Sequence, residues 1–115
     1  MTDSELAALC LHLPGVREDI KWGNYRVFSV ADNKMFALID VHDHSCSLKV
    51  ADDLFLGYCD RPGVSPAPYL ARAHWVTLSY PYPLPEAELR QRLKEAHQLV
   101  VRKLPKRRQV GLLLD

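Results

Sequence analysis

Three residues at alternating positions, His42, His44 and Cys46, form the first set in this sequence whose types and spacing could do chemistry. On a continuous strand, positions i, i+2 and i+4 share one face. Two imidazoles and a thiol beside Asp40 would then offer a donor set suited to Zn²⁺ or Cu²⁺. The same letters also read as a polar hairpin turn from which Cys46 returns to the core, and we adopt that reading, with no metal expected. Cys46 or Cys59 could pair with a histidine as a nucleophile. Covalent catalysis, however, needs a base and an orienting group converging in a cleft, and no spacing here makes them converge. His74 falls in a strand pattern on the face of Val76 and Leu78, which suits a core or rim residue better than a general base. No active site is recognisable, so a non-enzymatic protein without a cofactor is expected.

A second group of residues suits binding. With Leu48, Val50, Val76 and Leu78 facing a core, Ser47, Lys49, Trp75 and Thr77 point the other way. A lysine and an aromatic ring on one open sheet face make a platform for phosphate pairing and base stacking. Alternatively, the ring is covered by the Pro66 to Tyr69 loop or by a second subunit. Arg72 and the run Arg102, Lys103, Lys106, Arg107 and Arg108 add cations that could neutralise phosphates, or simply complement the negative end of a helix. The candidate nucleic-acid residues are thus Lys49, Arg72, Trp75, Arg102, Lys103, Lys106, Arg107 and Arg108.

The formal charge of +1 hides an asymmetry. Residues 1 to 60 carry 5 basic and 10 acidic side chains and residues 61 to 115 carry 10 and 4, that is −5 against +6. Such a division can orient an anionic partner toward the C-terminal half. The chain of 115 residues, 48% hydrophobic and 25% charged, has the proportions of a single globular domain and not of a disordered one. No apolar run approaches the roughly 20 residues that cross a bilayer, and the acidic start lacks the basic region of a signal peptide. An odd number of cysteines without CxxC spacing indicates neither a disulfide framework nor a zinc ribbon. A cytoplasmic protein with no membrane partner is expected.

The elements that must position these residues can be read from periodicity. Ser4 to His12 has helical spacing, with Thr2, Asp3 or Ser4 as cap and Pro14-Gly15 as stop. Asp19 to Trp22, Tyr25 to Val30, Lys34 to Val41 and the Cys46-Leu48-Val50 alternation read as four strands, the first two joined by a Gly23-Asn24 turn and the next two by Ala31 to Asn33. Lys34 to Val41 is the interior strand, with Met35, Ala37, Ile39 and Val41 on one side and Phe36 and Leu38 on the other. A short helix follows Asp52 and Asp53, Arg61 to Pro68 reads as a loop, and His74 to Tyr80 reads as the last strand. Leu89, Leu93, Ala96, Val100 and Leu104 mark a long helix from Pro85 to about Lys103. From about residue 105 a basic and then apolar tail remains, with no partner for Val110 to Leu114.

Several phrases in this order resemble the MmcQ/YjbR family: LPGV at Leu13 to Val16, KMFAL at Lys34 to Leu38, SLKV at Ser47 to Val50, PAPYL at Pro66 to Leu70, HWVTL at His74 to Leu78 and KLP at Lys103 to Pro105. The resemblance implies a frataxin-like α+β fold with a double-wing arrangement, and it implies DNA binding. Frataxins hold iron on an acidic first helix, but this one offers only Asp3 and Glu5, so iron is not implied here. The expectation is an α+β domain in the order α-β-β-β-β-α-β-α, with an antiparallel sheet of about five strands and the N- and C-terminal helices on one face. It binds DNA electrostatically, with weak sequence specificity. The competing expectation is a protein-interaction or small-ligand module that uses the open sheet face and the Pro66 to Tyr69 loop.

Overall fold

Alternating apolar residues in the N-terminal half zip into a meander because each strand can bury one side chain in two. The computed structural model describes residues 1–114. Helix α1 (Asp3–Leu11) starts with a capping box in which Thr2 Oγ1 accepts from the Glu5 N–H at 3.1 Å and Glu5 Oε1 accepts from the Thr2 N–H at 3.0 Å. Strands β1 (Arg17–Lys21), β2 (Tyr25–Val30), β3 (Lys34–Asp40) and β4 (Ser45–Lys49) follow, then the short α2 (Phe55–Cys59) and β5 (Val64–Pro66). A 3-10 turn (Ala71–Ala73), β6 (Trp75–Ser79), α3 (Glu86–Val101) and α4 (Lys106–Gln109) complete the chain. The sheet is antiparallel, with strand order β1-β2-β3-β4-β6-β5. No described helix is long and apolar enough to cross a membrane.

Leu6, Ala7 and Cys10 of α1 share one buried cluster with Leu89, Leu93 and Ala96 of α3 and with Phe28, Ile39, Leu48 and Leu78 of the sheet. The N-terminal and long C-terminal helices therefore cover one face, as expected. The sheet has six strands where about five were expected. The additional one is Val64–Pro66, inside the stretch read as a loop; three residues between Gly63 and Ala67 are too few for an alternation to show. The Ala31 to Asn33 hairpin turn forms where predicted, with Val30 paired to Lys34. The first hairpin loop is Trp22-Gly23-Asn24 rather than Gly23-Asn24 alone, because β1 ends at Lys21 opposite Tyr25.

The interior strand departs from simple alternation. Phe28 pairs with Ala37 while Ser29 pairs with Met35, so Phe36 is an extra residue bulged out of the ladder. The bulge turns Phe36 to the helix face along with Ala37 and Ile39, while Met35 and Leu38 face the opposite side. This corrects the expectation that Phe36 and Leu38 share a face: an inserted residue breaks the period of two. Phe36 meets the edge of His97 in α3, with ring centroids 5.4 Å apart and planes at 89°.

His97 is fully buried. Its Nε2 lies 2.8 Å from the Pro14 carbonyl, and its Nδ1 lies 2.8 Å from the Gln98 side-chain nitrogen. The only arrangement in which both contacts are hydrogen bonds is a neutral ring with the proton on Nε2 and Nδ1 accepting. Gln98 then reaches the tail: its Nε2 donates to the Leu112 carbonyl at 3.0 Å, and its Oε1 accepts from the Leu114 N–H at 2.9 Å. The apolar end thus has a partner that periodicity could not name, since a glutamine amide satisfies donor and acceptor of an extended chain at once.

Burial lowers the His97 pKa from its ordinary 6.5. Below about pH 6.5 the unfolded chain binds a proton that the folded chain refuses, so the stability His97 supplies is complete above that pH and lost as pH falls below it. His97→Leu keeps the volume but strips two hydrogen bonds, and should cost about 2–3 kcal/mol in urea unfolding at pH 7.5. That cost should shrink at pH 5.5. A gap between the two proteins that stays constant across this range would show that the ring is not held neutral.

Candidate nucleic-acid interface

Lys49, Ser47, Trp75 and Thr77 do lie on the face away from the helices, but that face is not an open platform. Trp75 is only 4% exposed and packs with Val27, Leu38 and Ala67, flanked by Tyr25, Met35 and Leu70. The chain after β5 folds back over it. The Ala67 N–H donates to the Trp75 carbonyl at 3.0 Å and the Trp75 N–H to the Leu70 carbonyl at 3.3 Å, tying the strap to the strand it covers. Trp75 as a base-stacking ring is therefore corrected: an indole of this area is stabilised far more by burial than by exposure, and the Pro66 to Tyr69 loop supplies the cover. His74 leaves the strand pattern as well. It takes a left-handed conformation (φ 61°) after the 3-10 turn, with Nδ1 2.5 Å from Asp52 Oδ1 and its ring against Phe55.

The cations gather at one end of the sheet. Antiparallel pairing sets the start of β3 beside the end of β4, and the end of α3 descends onto the same place. A groove of about 390 Å³ results, lined by Lys34, Lys49 and Lys103 over Met35, Trp75 and Leu104. Lys49 is half-buried and donates from Nζ to the Ala73 carbonyl at 2.6 Å. Its pKa is lowered first by burial and then by the positive charge of Lys103. Arg72, Arg102, Lys103, Lys106 and Arg107 are exposed and make no ion pair with a described residue. Arg108 differs, since it forks onto Asp32 in the β2–β3 turn at 2.8 and 3.2 Å and holds that carboxyl below its usual pKa. The groove brings together Lys49, Trp75 and Lys103 of the expected set. Arg72 projects from the strap, while Lys106 and Arg107 lie on α4. Lys34 was missed, although its place at the head of the strand that pairs with β4 was the signal for it.

The residues weighed for catalysis do not assemble. His42 and His44 occupy the β3–β4 turn, with His44 3.4 Å from Asp3, whereas Cys46 points into the helix-side core. Burial pushes the Cys46 thiol up to about 12, so it holds no thiolate near neutrality. Among the described residues no group of three or more His, Cys, Asp or Glu converges on a metal position.

Trp75→Ala should cost about 3–5 kcal/mol in chemical unfolding. In the folded protein Trp22, 64% exposed, should be quenched by iodide, and a Trp22→Phe variant that reports Trp75 alone should resist quenching. Equal quenching of both rings would mean that the strap does not cover Trp75.

Several solved structures share this architecture. The Deinococcus radiodurans protein DR2400, a crystal structure assigned to family-model domain DUF419, superposes with a TM-score of 0.88 at 26% identity over 99% of this chain and 89% of its own. A crystal structure of a Pseudomonas syringae protein superposes at TM-score 0.73 and 23% identity, covering 87% of this chain and 99% of its own. A solution structure from Pseudomonas syringae gives 0.57 at 25% identity, over 74% and 81% of the two chains. No curated protein matches at a significant level. The YjbR family model matches residues 11–99, most of the chain including the entire sheet, and the chain belongs to the YjbR family.

Proposed function

We propose that this protein binds double-stranded DNA through its basic end, non-enzymatically and with little sequence preference. The observation that carries the reading is the collection of Lys34, Lys103, Arg102, Lys106 and Arg107 around one end of the sheet without carboxylate partners among the described residues. Cations left unpaired by the described residues are available to displace counterions from a phosphate backbone. No described helix presents side chains in the manner of a recognition helix: α4 is a single turn and α3 is applied to the core. Backbone contact without base readout follows from that. The resemblance to the MmcQ/YjbR family, with its frataxin-like, double-wing label, supports the same reading. The free thiols Cys10 and Cys46, buried in the core, are compatible with a cytoplasmic setting.

With about three to five phosphate contacts, log affinity should fall against log salt with a slope of roughly −3 to −5 on any duplex. Replacing Lys103, Lys106 and Arg107 by Ala should weaken every duplex alike and flatten the slope by about 2–3. Arg108→Ala should change affinity less, because that guanidinium already serves Asp32. Folded protein that binds no duplex in low salt, or a triple variant with an unchanged slope, would overturn the reading.

A further inference from the structure

The other end of the strapped sheet face holds a concavity of about 610 Å³, within the size range of small-molecule sites. Its floor is Leu38 with the hydroxyls of Ser45, Ser47 and Thr77, and the Ala67–Leu70 strap forms one wall. Ser47 and Thr77 already bond each other at 2.8 Å across β4 and β6, leaving a mainly apolar floor. Three aromatic rings, Trp22, Tyr25 and Tyr69, line the space, and the first two meet edge to face at 5.7 Å. Tyr69 stands at the strap's tip in a left-handed conformation, fully exposed although it lines the cavity.

The charge of the lining is one-sided. Asp40 and Asp43 contribute carboxylates, while no lysine, arginine or histidine lines the space. Asp40 is only 6% exposed and fixed in place, its Oδ1 accepting from the Asn24 side chain at 2.8 Å and from the His42 and Asp43 N–H groups at 3.0 and 3.1 Å. Asp43 is exposed at the mouth. Lys21 sits 6.0 Å from the Trp22 ring centroid, outside the lining, and occupies one face of that indole.

We propose that this cavity is a binding site for a small organic cation with an apolar body, of the aromatic-amine or alkylammonium class. Aromatic faces attract a cation through their quadrupoles, and a carboxylate adds to that attraction, whereas a phosphate or carboxylate ligand would face Asp40 and Asp43 with no cation in the lining to offset them. The apolar body is held by Met35, Leu38, Ala67 and Leu70. The cavity meets the basic groove at Met35 but carries the opposite sign, Asp40 and Asp43 against Lys34, Lys49 and Lys103, so its occupant is not a nucleic acid.

Three probes of one size separate the terms: 2-phenylethylammonium, 2-phenylethanol and phenylacetate, titrated into the intact chain and followed by amide NMR shifts. The cation should bind most tightly, the alcohol more weakly and the anion least, with shifts at Ser45, Ser47, Leu70 and Thr77. Asp43→Asn lies in an exposed turn and keeps its backbone bond to Asp40, so the fold should persist. It should weaken the cation about three- to fivefold and leave the alcohol unchanged. Tyr69→Ala, at the exposed tip, should weaken the cation and the alcohol together. Binding of phenylacetate as tight as that of the cation, an Asp43→Asn variant indistinguishable from the parent, or shifts confined to other surfaces would each overturn the assignment. None of these substitutions touches the basic end, so duplex affinity tests the two proposals separately.

Discussion

The contact on which most of this structure depends is the edge of His97 set against the bulged ring of Phe36. Without the extra residue in β3, Phe36 would point to the strapped face and the buried imidazole of α3 would lose the ring it packs against. With it, the two nitrogens of His97 are committed to the Pro14 carbonyl and to Gln98, and Gln98 is committed to the tail. One ring therefore fixes the strand, the helix, the chain after α1 and the C-terminal segment. A buried polar group is tolerated at that crossing because every one of its hydrogen bonds is made.

Periodicity made most of the architecture readable, and its failures have physical causes. The helices Asp3–Leu11 and Glu86–Val101 repeat apolar residues at the helical spacing, which placed Leu6, Cys10, Leu89, Leu93 and Ala96 in the core, and β4 and β6 alternate cleanly, so these faces could be assigned in advance. Phe36 was assigned to the wrong face because a bulge is set by partner register, which one strand's letters do not contain. Trp75 was assigned to the correct face, and of the environments weighed for it the cover by the Pro66 to Tyr69 loop holds and the open stacking platform does not, a choice that pairing with a distant strap decides. β5 escaped because it is held by pairing with β6 and not by an alternation of its own.

The candidate sites were legible in part for the same reason. Arg102 to Arg107 could be seen as a cluster because they are neighbours in sequence, and they stay neighbours in space. Lys34 and Lys49 are fifteen positions apart and become neighbours only through the β3–β4 hairpin. Arg108 counted as a free cation in the sequence, yet Asp32, 76 positions away along the chain, claims it. The aromatic cavity draws on four separate segments and left no contiguous signal beyond the Pro66 to Tyr69 loop.

Charge asymmetry along the chain survives folding in an altered form. Along the two central strands it runs from end to end: β3 goes from Lys34 to Asp40, and β4 returns from Ser45, beside Asp43, to Lys49. Six steps along a strand span about 20 Å, twice the roughly 8–10 Å over which salt screens exposed charges. The basic groove and the acidic cavity can therefore hold opposite potentials on one small domain without cancelling. The strap from Ala67 to His74 is common to both, since Ala67 and Leu70 wall the cavity while the Ala73 carbonyl anchors Lys49 beside the groove. What the strap costs in exposed backbone is offset by burying Trp75 beneath it, so that one covered face carries both the groove, which Trp75 lines, and the neighbouring cavity floored by Leu38.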